Sequence, residues 1–170
     1  MEANTTPTNL LAGHRVLITG GARGLGLEFA RAAARHGAAV VIAAILAEAA
    51  QAASRLRADG LNVWAEALDL ADPASIEACA AAAVQQLGGL DGLINNGAIT
   101  NSGGRSHAEL EPEVWDRVMS VNVRGTWLTT RACAPAPSTA SDSAKQFASF
   151  ASRTGRCRTR SRSRYSGCPF

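Results

Sequence analysis

Short, continuous apolar runs alternate with longer Ala-rich stretches over the first 131 residues. Arg15-Val16-Leu17-Ile18 and Ala38-Ala39-Val40-Val41-Ile42-Ala43 show no polar alternation, which predicts strands covered on both faces. A third strand is expected over 62–68 and a fourth over 92–95. Between them the spacing predicts helices over 27–36, 47–58 and 73–87, each with its own punctuation. Gly37 and Asp59-Gly60 stop the first two, Asp72 and Pro73 open the third, and Gly88-Gly89 closes it. After a polar loop over 100–110, one further helix runs from near Pro112 through Trp115, Val118 and Val121 to about Arg131. Strands alternating with helices imply right-handed crossovers and a parallel sheet, so the expected class is α/β, doubly wound, with four legible strands.

The character changes after residue 133. Ala134-Pro135-Ala136-Pro137 breaks any helix, and no strand period follows it. The expected division is an ordered domain over 1–133 and an irregular tail over 134–170. A fifth strand is not legible there, which leaves the fourth as an exposed edge and predicts poor solubility or oligomerisation. Composition suits a globular domain, with 46% hydrophobic and 18% charged residues. The net charge of +3 is unevenly spread, because six of the 17 basic residues lie between Arg153 and Arg164 with no acid among them. The rest carries 11 basic residues against 14 acidic ones and offers no nucleic-acid face. The tract itself attracts phosphates by charge, but no stacking aromatics accompany it, so nucleic acid is not an expected partner.

Cys79, Cys133, Cys157 and Cys168 form no CxxC pair and no metal-ligand spacing, so no metal site is expected. Cys79 lies in an apolar helical run and reads as a core residue. A reduced, cytoplasmic setting fits these cysteines, and the first residues lack the regions of a signal peptide. The apolar run from Ala38 to Ala47 is too short to cross a bilayer, so no membrane association is expected.

The candidate chemistry begins at Thr19-Gly20-Gly21-Ala22-Arg23-Gly24-Leu25-Gly26, set between the first strand and the first helix. Strand, glycine turn and helix together aim backbone N–H groups and a helix N-terminus at a phosphate. The glycines allow pyrophosphate to approach the backbone, and the arrangement is that of a Rossmann-like dinucleotide fold. Three more features follow in order: Asp69-Leu70 after the third strand, Asn95-Asn96-Gly97-Ala98 at the end of the fourth, and Asn122 inside Val121-Asn122-Val123. Asp69, placed after a parallel strand on the ligand edge, reads as a ligand contact ahead of a loop cap, while Asn96 is also open to the reading of a turn residue and Asn122 to that of a buried amide with satisfied hydrogen bonds.

Together these motifs resemble the short-chain dehydrogenase/reductase family over residues 12–131. The turn is similar to that family's TGxxxGxG loop, and Asn95–Ala98 to its NNAG motif with the last two residues exchanged. The resemblance implies a cofactor-binding set of Gly20, Arg23, Gly24, Leu25, Gly26, Asp69, Leu70, Asn96, Gly97 and Ala98, with NAD or NADP as cofactor. In that set Asp69 faces the adenine. It also implies that Asn122 holds a water in a proton relay, and that intact relatives are homo-oligomers acting on a small carbonyl or alcohol.

Two departures qualify that picture. Family members using NAD carry an Asp at the end of the second strand, where this chain has Ala44, 18 residues beyond Gly26. Losing such a charged hydrogen bond costs about 1.5–3 kcal/mol, which weakens a preference for NAD. Glu48 is a candidate substitute, more simply read as a helix-dipole partner. Arg23 is placed to meet a 2′-phosphate, though Arg also occurs there in NAD-using relatives, so the choice of cofactor stays open. The family's reaction needs a Tyr as acid/base with a Lys four residues later, and a Ser upstream. The chain contains one Tyr, Tyr165, and one Lys, Lys145, so no YxxxK exists in it. Ser149 and Ser152 lie in unrecognisable sequence. The expected function is therefore an NAD(P)-dependent oxidoreductase in truncated or disrupted form, inactive by itself. The alternative is a non-catalytic NAD(P)-binding module.

Overall fold

The computed structural model describes residues 9–100 and 107–134. Lys145, Ser149, Ser152, the Arg153–Arg164 tract, Tyr165, Cys157 and Cys168 lie outside the described residues. The elements run β1 (Arg15–Thr19), α1 (Gly24–Arg35), β2 (Ala39–Ala44), α2 (Leu46–Ala58), β3 (Val63–Ala67), α3 (Pro73–Leu87) and β4 (Gly92–Asn95). A 3-10 turn (His107–Glu109) follows, then α4 (Pro112–Met119), a π-helical segment (Ser120–Gly125) and α5 (Thr126–Cys133). The four strands form one parallel sheet in the order β3-β2-β1-β4.

The continuous apolar runs are buried on both sides, as their composition requires. Successive side chains on a strand point to opposite faces. Accordingly Val16, Ile18, Val40 and Ile42 pack with Ala30, Ala34 and Ala53 beneath α1 and α2. Leu17, Val41 and Ala43 pack with Ile76, Cys79, Ala83 and Leu128 beneath α3 and α5. Small alanines on the helices let them sit close to the large aliphatic residues of β1 and β2, which are fully buried.

At the amino end of the sheet a clamp joins β1 to the turn before β4. Arg15 donates from Nε to Asp91 Oδ2 (2.8 Å), from Nη2 to Asp91 Oδ1 (2.9 Å) and from Nη1 to the Gly88 carbonyl (2.6 Å). The guanidinium holds the Asp91 carboxyl down at about 2. The expected opening of α3 is present: Asp72 Oδ1 accepts the Ala74 N–H at 2.9 Å, Pro73 is the first helical residue, and Gly88 ends the helix in the left-handed region at φ 71°.

Two elements differ from expectation. Helix α1 begins at Gly24 rather than 27, because the glycine turn itself supplies the helix's first turn. The single helix expected over 112–131 is instead divided by the π-helical segment. Two tethers meet that segment: Asn122 is bound to Ile99, and Gly125 lies against the Leu70 carbonyl. Widened turns of this kind arise where tertiary contacts override regular α spacing. Among the described residues β4 pairs only with β1 and forms an edge of the sheet.

Candidate functional site

In-register pairing places Thr19, Ala44, Ala67 and Asn95 at the carboxyl edge of the sheet, with the glycine turn rising from its centre. The Gly20 N–H donates to the Ala43 carbonyl at 2.7 Å, which anchors the turn to the end of β2. Gly20 has φ +64°, and a Cβ there would stand 2.8 Å from the Gly97 Cα. Gly26 is buried, and a Cβ on it would strike the Gly20 carbonyl and the Asn96 amide. Gly24 is the opposite case: its φ is +55° and the space where a Cβ would stand is open. The turn is thus tightly packed from below and bare above, with Arg23 and Leu25 exposed on either side of Gly24. Such a bare backbone at a helix N-terminus can accept an anionic group.

Thr19 joins this turn to the end of β4. Its buried Oγ1 accepts the N–H groups of Asn96 (3.0 Å) and Gly97 (2.9 Å). Asn96 returns the link, donating from Nδ2 to the carbonyls of Thr19 (3.2 Å) and Gly20 (3.1 Å). Asn96 and Gly97 therefore brace the turn from behind, while Ala98 is exposed beside them. The motif alone gives Thr19 a place in the turn and no role. A hydroxyl at the end of an otherwise apolar buried strand is the signal that points to it.

Asp69 stands exposed two residues beyond β3, on the same edge. Its Oδ1 accepts the Ala71 N–H at 2.8 Å, and its own N–H donates to Ser75 Oγ at 2.9 Å. One carboxylate oxygen is thus engaged by the loop, and the residue remains open to solvent. Leu70 is half-buried, its side chain against Gly97 and its carbonyl against Gly125, where a Cβ would come within 2.5 Å. Asn122 pairs with one backbone unit at both ends of its amide. Oδ1 accepts the Ile99 N–H (2.9 Å) and Nδ2 donates to the Ile99 carbonyl (2.8 Å). The Thr126 hydroxyl donates to the Asn122 carbonyl at 2.8 Å. Asn95 donates to Thr130 Oγ1 at 3.0 Å, so β4 and the segment beyond it are each tied to the helices.

The structure therefore brings Gly20, Gly24, Gly26, Asn96, Gly97, Asp69, Leu70 and Asn122 to one edge of the sheet. Ala44 ends β2 without a carboxylate, Ile45 beside it is 71% exposed, and Glu48 is exposed in the first turn of α2. Burial pushes the Cys79 thiol up to about 12 and the Cys133 thiol up to about 11, both in the layer beneath α3 and α5. Among the described residues no group of three His, Cys, Asp or Glu could hold a metal ion, and no helix is long and apolar enough to cross a membrane. The chemistry available at the edge is acceptance of an anionic group by the open backbone of the turn.

Comparison with known proteins gives this geometry a family. The model of the short chain dehydrogenase family matches residues 14–167, past the limit of 131 set from motifs alone. A sorbitol dehydrogenase of Cereibacter sphaeroides is 41% identical over 126 residues, covering 74% of this chain and 48% of that protein. Hydroxysteroid dehydrogenase-like protein 2 of Bos taurus is 37% identical over 139 residues, covering 75% of this chain and 32% of its own length. Among solved structures, a dehydrogenase/reductase from Sinorhizobium meliloti superposes with a TM-score of 0.69 at 32% identity, covering 75% of this chain and 50% of that one. A short chain dehydrogenase from Burkholderia cenocepacia in complex with NADP gives 0.66 at 32% identity, covering 72% and 50%. The chain spans half or less of the length of these relatives. With the glycine turn, its Thr19 brace and this match in place, the chain belongs to the short-chain dehydrogenase family.

Proposed function

We propose that this chain is the cofactor-binding part of an NAD(P)-dependent oxidoreductase. The observation that carries the reading is the turn at Gly24, bare above and rigidly braced below by Thr19, Gly26 and Asn96. Gly20–Gly26 would hold the pyrophosphate of a dinucleotide, and the residues at the ends of β2 and β3 would hold its adenosine. A nicotinamide bound there supplies or accepts a hydride at a carbonyl or secondary alcohol carbon. The residues proposed to hold it are Gly20, Arg23, Gly24, Leu25, Gly26, Asp69, Leu70, Asn96, Gly97 and Ala98. Asn96 and Gly97 act chiefly by holding the turn, and Asp69 keeps one carboxylate oxygen for an adenine amino group.

Asn122 is assigned to the proton relay by resemblance. Its two bonds to Ile99 leave one lone pair on Oδ1 and one hydrogen on Nδ2, enough to hold a water. No Tyr-x-x-x-Lys occurs in these 170 residues, so binding without turnover is expected of them by themselves. We further propose a cytoplasmic setting and association with a second copy of the chain. The test is titration of the chain with NADH and NADPH, followed by nicotinamide fluorescence, beside a reductase assay on simple ketones. Saturable binding lost in Gly26→Ala, with no turnover, is the expected result. Absence of binding by the folded chain removes the reading, and measurable turnover removes the inactive form of it.

A further inference from the structure

Beyond β4 the chain continues to Ile99 without helix or turn, and this strap is pinned at both ends to the helices opposite. At its foot Asn95 Nδ2 donates to Thr130 Oγ1 at 3.0 Å. At its far end the Ile99 N–H and carbonyl meet the Asn122 amide at 2.9 and 2.8 Å. Asn122, Thr126 and Thr130 recur every four residues and make one polar stripe along the helices. The eight residues from Asn122 to Thr130 rise about 12 Å in helical form, and the four from Asn95 to Ile99 span at most about 13–14 Å when extended. The strap therefore runs close to full extension, antiparallel to the stripe. Hydrogen bonds within the stripe fix its polarity. Thr130 Oγ1 donates its single proton to the Thr126 carbonyl at 2.8 Å, which leaves only lone pairs to offer Asn95. Thr126 Oγ1 donates in the same way to the Asn122 carbonyl at 2.8 Å.

The strap begins where the sheet changes its direction of growth. In the order β3-β2-β1-β4, β2 and β3 extend from one side of β1 and β4 from the other, so a crevice opens beyond Thr19 and Asn95. We propose that Thr130 is a positioning residue: through Asn95 it holds the strap against the helices, and the strap so held walls that crevice for the nicotinamide half of a dinucleotide. The inference rests on the dinucleotide reading above. With pyrophosphate over the turn and adenosine toward β2 and β3, the nicotinamide half is left with the β4 side, beside Gly97, Ala98 and Ile99. The bonds from Asn96 and Gly97 to Thr19 run toward the glycine turn and do not set the distance of the strap from the helices. Thr130 and Asn122 set it. Asn95 and Thr130 are exposed, so their bond adds little to global stability, and its effect falls on where the strap stands.

Titration of the full chain with NADH, NADPH and 5′-ADP, the last lacking the nicotinamide half, tests this without any enzymatic readout. Thr130→Val keeps the shape and removes the acceptor. It is expected to weaken the reduced dinucleotides about threefold to tenfold and to reduce the fluorescence enhancement of the bound nicotinamide. Affinity for 5′-ADP and the melting curve should stay close to the parent's. Thr130→Ser should restore dinucleotide affinity, and Asn95→Ala should match Thr130→Val, with the double variant no weaker than either alone. Unchanged dinucleotide affinity in Thr130→Val overturns the proposal, and so does an equal loss for all three ligands, which marks a merely structural bond. Additive losses in the double variant overturn the route through Asn95. If the parent binds 5′-ADP but neither dinucleotide, the nicotinamide wall falls while the nucleotide reading of the turn stands. If it binds none of the three, the dinucleotide reading falls and takes the wall with it. Should Thr130→Val not fold, Asn95→Ala carries the same comparison.

Discussion

Thr19 Oγ1 takes two backbone N–H groups at a buried atom, so removing it strands both donors at once. Thr19→Val keeps the shape and deletes the acceptor. It should cost about 1–3 kcal/mol for each stranded group, read as a shift in the denaturant midpoint. The same variant loosens Asn96 and should weaken dinucleotide binding. Asp91 is felt through pH. Its folded pKa of about 2 lies below the ordinary value of 3.8, so its pairing with Arg15 stabilises the fold above pH 4. That contribution fades as pH falls from 4 toward 2. Asp91→Asn should therefore flatten the acid limb of the stability curve and leave its neutral part parallel to the parent's. The cysteines titrate in the other direction. With Cys79 held up near 12 and Cys133 near 11, the thiolate fraction at pH 8 is very small. Alkylation mapped by mass spectrometry should leave both unmodified in the folded chain and label both in denaturant.

The π-helical segment shows what one turn of backbone does for the edge of the sheet. Gly125 lets it approach the Leu70 carbonyl, where a Cβ would come within 2.5 Å. Gly125→Ala should push the segment outward, costing about 1–3 kcal/mol, and slacken the Asn122–Ile99 pair. Hydrogen exchange at the Ile99 amide checks this, and protection equal to the parent's would count against it. The segment was not legible in the sequence, because Trp115, Val118 and Val121 keep helical spacing through it and the tethers come from loops distant in the chain. The sheet was legible, because strands buried on both faces leave uninterrupted apolar runs and each helix carries its own stop. The glycine turn was legible for a related reason, since only glycine fits its positive φ angles and close approaches. The brace behind it was less so. The motif marks Asn96 as a cofactor residue but does not show that its Nδ2 is shared between the Thr19 and Gly20 carbonyls. A side chain's partner cannot be read from spacing when that partner is backbone 76 residues away.

The outer face of α4, the π-helical segment and α5 leaves four large apolar side chains open. Trp115, Met119, Val123 and Trp127 recur every four residues at 57%, 36%, 54% and 58% exposure. Contiguous patches of this sort mark contact surfaces rather than ordinary solvent-facing positions. Under the proposed association with a second copy, this face and the shallow groove lined by Met119, Val123 and Trp127 would form the contact, and the groove's polar groups set its geometry. Asp116 and Arg124 lie four residues on either side of Ser120, all three lining that groove. Two such faces crossing antiparallel about a two-fold axis at Ser120 bring Asp116 of each copy opposite Arg124 of the other, because a two-fold contact pairs i with j and j with i. Arg131, 5.0 Å from the Trp127 ring centre, extends the rim. Sedimentation velocity over a concentration series should show reversible association that weakens in Val123→Arg. Asp116→Arg should weaken it as well, and the exchange Asp116→Arg with Arg124→Asp should restore it. A single monomeric boundary at every concentration would exclude this face as a self-contact. Association untouched by the charge variants would keep the dimer but place its axis elsewhere.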